Sequence, residues 1–137
     1  MEVHLKVIGG LLIILALIHL IFPRYFNWKV ELQPLSLINR QMMTVHTFFI
    51  ALAVLLTGIL CLSSAEELIA TDLGRRICLG LGIFWAFRLF FQLFVYSIKL
   101  WRGKIFETGV HIIFTAFWIY LCLIFFSAGG WMSFAGL

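Results

Sequence analysis

The chain has 137 residues, of which 64% are hydrophobic and 12% charged, with a formal net charge of +4. A soluble domain carries about 25% charged residues, so the polar groups present cannot cover so apolar a core, and lipid is the expected solvent for the outer surface. Four spans of roughly 20 residues each would leave no room for a separate soluble module. With no basic face interleaved with aromatics outside those spans, nucleic acid is not an expected partner.

The first span is expected over residues 4–22. Its charged start is weak, with Glu2 opposing Lys6, and no small-residue cleavage pattern precedes Pro23, so it reads as a retained helix and not a signal peptide. Pro23 ends it for want of a backbone N–H. Gly9, Leu12, Ala16 and His19 share one face, with small residues where another helix could approach. The segment from Pro23 to Leu35 sets Tyr25, Phe26 and Trp28 beside Arg24 and Lys29, a composition suited to lipid headgroups. Pro34 closes it, and Ser36 is the expected N-cap of the next helix.

That second helix is expected from Leu37 to Leu62, with residues 41–62 in the bilayer; at about 1.5 Å per residue it outreaches the roughly 30 Å hydrocarbon core. His46, Ile50, Ala53 and Thr57 share one face, and Thr47, Ala51 and Gly58 form a neighbouring stripe of small residues. In the connection that follows, Ser64 and Glu67 have capping-box spacing, and Thr71 or Asp72 is the expected cap of the third span. The third span is expected over 76–98 and the fourth over 105–126. Beyond them Trp131 and Phe134 suggest a tail resting in the interface. The expected fold is therefore an all-α integral membrane protein: a single-domain, four-helix up-down transmembrane bundle with an interfacial first loop.

Six cations (Arg24, Lys29, Arg40, Lys99, Arg102, Lys104) flank the side of the first and third loops, against Lys6, Arg75 and Arg76 on the other. This count favours the loop side as cytoplasmic, with both termini non-cytoplasmic, and a bacterial inner membrane is the expected location. Cys61, Cys78 and Cys122 lack CxxC spacing and read as small buried residues, with a Cys61–Cys78 disulfide as the alternative if that side is oxidising.

Arg88 is the odd residue, because a guanidinium near the middle of hydrocarbon is disfavoured by roughly 2.5–3.5 kcal/mol and normally has a partner. No Asp or Glu lies deep in a span, so the balance must come from Glu107 reaching inward, from groups such as Gln92, or from an anionic ligand. Up-down topology would bring His19, His46, Gln92, Tyr96 and His111 to the same end. The histidines would lie roughly 5–8 Å below the first-loop side, Gln92 about 9 Å and Arg88 about 15 Å. Singly, such histidines are interhelical hydrogen-bonders, and Tyr96, Trp101 and Trp118 are packing or interface aromatics. Together His19, His46, Arg88, Gln92 and His111 are the candidate binding site.

Three function classes fit that end. The leading one is a non-catalytic accessory, assembly or solute-pathway subunit, partnered by the bilayer, an anionic lipid or small-molecule ligand, a second copy or a membrane complex. A second is a b-type haem module, with His46 and His111 as axial ligands, His19 as their alternative, and Arg88 or Arg40 near the propionates. A third is a lipid-modifying enzyme in which His111 is a base oriented by Glu107, and Arg88, Arg40 and Gln92 hold a phosphate or carboxylate.

Overall fold

Where the helices begin and stop follows from local chemistry. In the computed structural model, which describes residues 1–131, α1 covers Glu2–His19, opening with an acid in its first turn and closing with His19 in its last. It stops three residues before Phe22: Leu20 and Ile21 donate to the carbonyls of Leu17 and Ile18, a tightened final turn. Pro23 then stands at the start of a new short helix, α2 (Phe22–Tyr25), where its missing N–H costs nothing. The expected interfacial loop is thus two single turns, α2 and α3 (Trp28–Glu31), hinged at Asn27, whose φ of 53° is a left-handed conformation that asparagine tolerates.

The helix α4 spans Leu37–Ser63 with Ser36 at its N-cap position, although the serine side chain makes no capping bond. A short α5 (Ala65–Ala70) precedes α6 (Asp72–Phe90). Thr71 is the cap of α6, its Oγ1 accepting from the Gly74 N–H at 2.9 Å. The helix continues as a π-helical turn over Phe91–Val95, closed by Tyr96 N–H donating to the Phe91 carbonyl at 3.1 Å. The backbone becomes extended at Tyr96, so the span ends three residues before the expected Ile98. A 3₁₀ turn (Ile98–Leu100) and Gly103, at φ 79°, lead into α7 (Ile105–Ala128). Among the described residues there is no strand. Four helices are long and apolar enough to cross a membrane: α1, α4, α6 with its π continuation, and α7. Phe134 lies outside the described residues.

The chain forms two compact units. In the unit of residues 3–65, Gly9 and Gly58 set the packing of α1 on α4: a Cβ on either would sit 2.8 Å from the other's carbonyl oxygen. Gly9 faces Leu62 while Ile13 faces Gly58, so the helices run antiparallel. The buried face of α1 includes Gly9, Leu12 and Ala16, and that of α4 is Ala51, Val54, Gly58 and Cys61. The small-residue stripe therefore packs, and the stripe carrying His46 does not. Small side chains let two backbones approach, which an imidazole and an Ile at those positions would prevent.

In the other unit, which contains α6 and α7, a Cβ on Gly74 would collide with the backbone of Glu67 and Leu68, fixing α5 against the first turn of α6. Gly129 lies against Leu79 and Gly82 against the Phe126 ring, and Trp85 stacks on Trp118, an order that makes α6 and α7 antiparallel. Cys61, Cys78 and Cys122 are buried thiols.

Candidate functional site

The polar centre of the α6–α7 unit is Gln92, which lies in the π turn and is 8% exposed. A π turn inserts a residue into the helical repeat, and such bulges recur at functional positions. Arg88, one turn earlier, donates from Nη1 to Gln92 Oε1 at 3.3 Å, and Gln92 Nε2 lies 3.1 Å from His111 Nδ1. The direction of this line follows from its first member. A guanidinium can only donate, so the amide must turn its oxygen to Arg88 and its NH₂ to His111. Nδ1 of His111 is then the acceptor, and the imidazole proton sits on Nε2.

Aromatic rings enclose the line. The His111 ring stacks on Trp101 with centroids 4.6 Å apart and planes at 16°. Thr108 Oγ1 donates to the Trp101 carbonyl at 2.6 Å, tying the connecting turn to the start of α7, and Thr115 Oγ1 donates to the His111 carbonyl at 2.7 Å. The Arg88 guanidinium lies over two rings, with Cζ 4.9 Å from the centroid of Trp118 and 5.4 Å from that of Tyr96. Cation–π contacts of this kind partly replace the water that a guanidinium loses. Trp118 in turn stacks on Trp85, 5.1 Å apart and 10° from parallel. Both of these indole nitrogens are buried without an acceptor, and an unmet buried donor costs about 1–3 kcal/mol.

Of the five residues expected at the site, Arg88, Gln92 and His111 are joined by hydrogen bonds. His19 and His46 belong to the other unit. His19 donates from Nδ1 to the Leu15 carbonyl at 2.8 Å and lies beside the Phe22 ring at a tilt of 47°, and His46 is exposed on α4. In that unit, too, Arg40 Nε is buried without a partner. Glu107 is exposed, and Arg88 is held by an amide oxygen and two rings rather than by a carboxylate.

Trp85 is the residue that sequence reasoning missed. Its signal was present: it precedes Arg88 by three positions and so shares its face. Trp101 carried no such signal, because its stacking on His111 depends on how the turn after Tyr96 folds.

The arrangement favours some chemistries over others. An axial haem histidine coordinates through an unprotonated nitrogen, commonly Nε2 with Nδ1–H donating outward; His111 has the opposite tautomer. A general base likewise needs a free lone pair, and the lone pair of His111 is taken by Gln92. What the cluster offers is donors: the remaining guanidinium N–H groups, two indole N–H groups and His111 Nε2–H. No protein-family model, curated protein or solved structure matches the chain.

Proposed function

We propose that the protein is an integral membrane bundle whose four long helices cross alternately up and down. It acts without catalysis as an accessory, assembly or solute-pathway subunit, with the Arg88–Gln92–His111 line as its binding point. The membrane reading rests on side chains such as Phe48, Phe49, Phe84, Phe87, Phe94, Ile112 and Ile113, all more than half exposed on the long helices. So wide an apolar surface is incompatible with water and suited to acyl chains. The excess of Lys and Arg around the first and third loops supports a cytoplasmic location for them, with both termini across the membrane, here read as a bacterial inner membrane.

The non-catalytic reading is carried by one observation, the fixed polarity of the Arg88–Gln92–His111 line, which takes up the Nδ1 lone pair a base would use and leaves the proton on Nε2, where an axial haem ligand needs a bare nitrogen. A line of this kind holds a shape and presents donors. The test is an intact-complex mass spectrum of full-length protein released in gentle detergent, combined with the lipid profile of cells carrying His111→Ala. The expected result is a specific assembly, either a second copy or a stoichiometric membrane partner, and an unchanged lipid profile. A bare chain of 15.8 kDa together with a shifted lipid profile would overturn the proposal in favour of an enzyme.

A further inference from the structure

Resting on the membrane reading above, we infer that Arg75 and Arg76, in the cleft where α6 begins and α7 ends, bind the phosphodiester of an anionic phospholipid. Asp72, Arg75, Arg76 and Leu79 follow one another at helical spacing on one face of α6, and with Gly129 at the end of α7 they line a cavity of about 370 Å³. At roughly 30 Å³ per water this is the room of about a dozen waters, enough for a phosphate and its glycerol arm. Packing gives the cleft its shape. A Cβ on Gly129 would sit 3.1 Å from the Leu79 nitrogen, so α7 stops level with Leu79 and the α6 turns from Asp72 to Arg76 run on past it. The result is a polar wall above an apolar floor. Arg75 is paired with Asp72 across one turn, so the surplus positive charge is that of Arg76. One surplus charge is matched by a monoanion. A carboxylate's two oxygens are taken up by a single guanidinium fork, whereas a phosphodiester has oxygens for two.

Depth identifies the source of that anion. Trp131 marks the membrane surface at this end of the pair. The chain turns at Gly130, φ 82°, the Trp131 N–H donates to the Phe126 carbonyl at 3.0 Å, and the indole, 74% exposed, lies along the Phe126 ring. Exposed indoles of this kind belong at headgroup level. Arg75 and Arg76 stand within about 6 Å of the start of α6. Helical side chains lean towards the N-terminus, which carries both guanidinium groups outward to where phosphates lie. In the opposite direction the same face continues past Leu79 with Ile83 and Phe87, 48% and 62% exposed, a surface for acyl chains. A free phosphate ion would use only the wall; a phospholipid uses the wall, the floor and the face beneath it.

Nitrogen-15 spectra of arginine-labelled full-length protein in detergent test this, because each guanidinium reports on its own surroundings. The titrants are phosphatidylglycerol, diacylglycerol with the same chains, phosphatidylcholine and inorganic phosphate. The Nε–H signals of Arg75 and Arg76 should move together and saturate with phosphatidylglycerol at a concentration roughly fivefold lower than with diacylglycerol, the factor expected of one charge. Arg76→Gln, followed at Arg75, removes the surplus charge and should bring the two lipids level. Asp72→Asn, followed at Arg76, doubles the surplus and should widen the preference to roughly twentyfold. The ratio of the two lipids is the readout because a merely loosened fold would weaken both alike. Equal response to the two lipids in the wild type, or a preference that neither substitution moves, overturns the proposal. Inorganic phosphate acting at the concentration of phosphatidylglycerol overturns the lipid assignment, and phosphatidylcholine matching phosphatidylglycerol overturns the requirement for net negative charge. Alkaline carbonate extraction of the native membranes tells the two readings apart. Protein released by carbonate counts against the membrane reading itself, whereas retained protein without lipid preference counts against the cleft alone.

Discussion

The pair α1–α4 and the pair α6–α7 are both antiparallel and both apolar outside, yet they are held together in different ways. In the first, Gly9 and Gly58 bring backbone to backbone, and threonines such as Thr47 and Thr57 satisfy their hydroxyls on their own helix, donating to the Met43 and Ala53 carbonyls. In the second, Gly129 meets the Leu79 backbone at one end. Towards the other end the helices are joined by rings and then by the Arg88–Gln92–His111 line. A glycine contact asks only for small volume and tolerates most neighbours. A stacked indole beside a guanidinium asks for particular atoms.

The largest effect should come from enlarging the glycine contact. In Gly58→Leu the first added carbon already lies 2.8 Å from the Gly9 carbonyl oxygen, and two backbones cannot give way as a side chain can. A loss of about 3 kcal/mol or more is expected, read as a large drop in melting temperature in detergent or as failure to accumulate. Gly82→Ala meets the Phe126 ring at 3.0 Å and should cost less, because a ring can tilt. Gly80→Ala, with open space, should change stability by less than about 0.5 kcal/mol. If Gly58→Leu melts with the wild type, the proposed difference between the two pairs disappears.

Next in size is Gln92→Leu. It removes the bridge and leaves Arg88 without the amide acceptor and His111 Nδ1 without its donor, at an expected cost of about 1–3 kcal/mol. Unchanged melting of Gln92→Leu would mean that the polar line does not hold the α6–α7 pair.

Much of this was legible in the sequence. Four helices of sufficient length and apolarity can be read from hydropathy alone, and Arg88 stands out because a charge amid phenylalanines needs a reason. Gln92 at the following turn and His111 at the matching end of the next helix follow from spacing and antiparallel packing. What spacing could not reveal was the π turn, which arises when a helix end accommodates its packing partners and leaves no compositional mark. Nor could it choose between the two stripes of α4, since the choice depends on which face the partner's Gly9 meets. Glu107, one turn before His111, was a reasonable partner for Arg88 by position. It is instead exposed, while Tyr96 and Trp118 supply ring faces to the guanidinium. The sequence pattern counts charges well and quadrupoles poorly.

The smallest effect, and the one that sharpens the comparison most, concerns proton position. His19 in the first pair faces a backbone carbonyl, which only accepts, so its proton must sit on Nδ1; His111 in the second faces an amide NH₂, so its proton must sit on Nε2. Nitrogen-15 spectra of histidine-labelled protein at a pH where both rings are neutral should therefore show the two opposite tautomers, and Gln92→Leu should release His111 from its fixed form while leaving His19 unchanged. His46, exposed on α4, should shift in neither case, and His46→Gln should alter stability by less than about 0.5 kcal/mol. A His111 found with its proton on Nδ1 would reverse the amide of Gln92 and set its NH₂ against Arg88. The guanidinium would then lose that acceptor, and the case for a non-catalytic imidazole would fall with the same measurement.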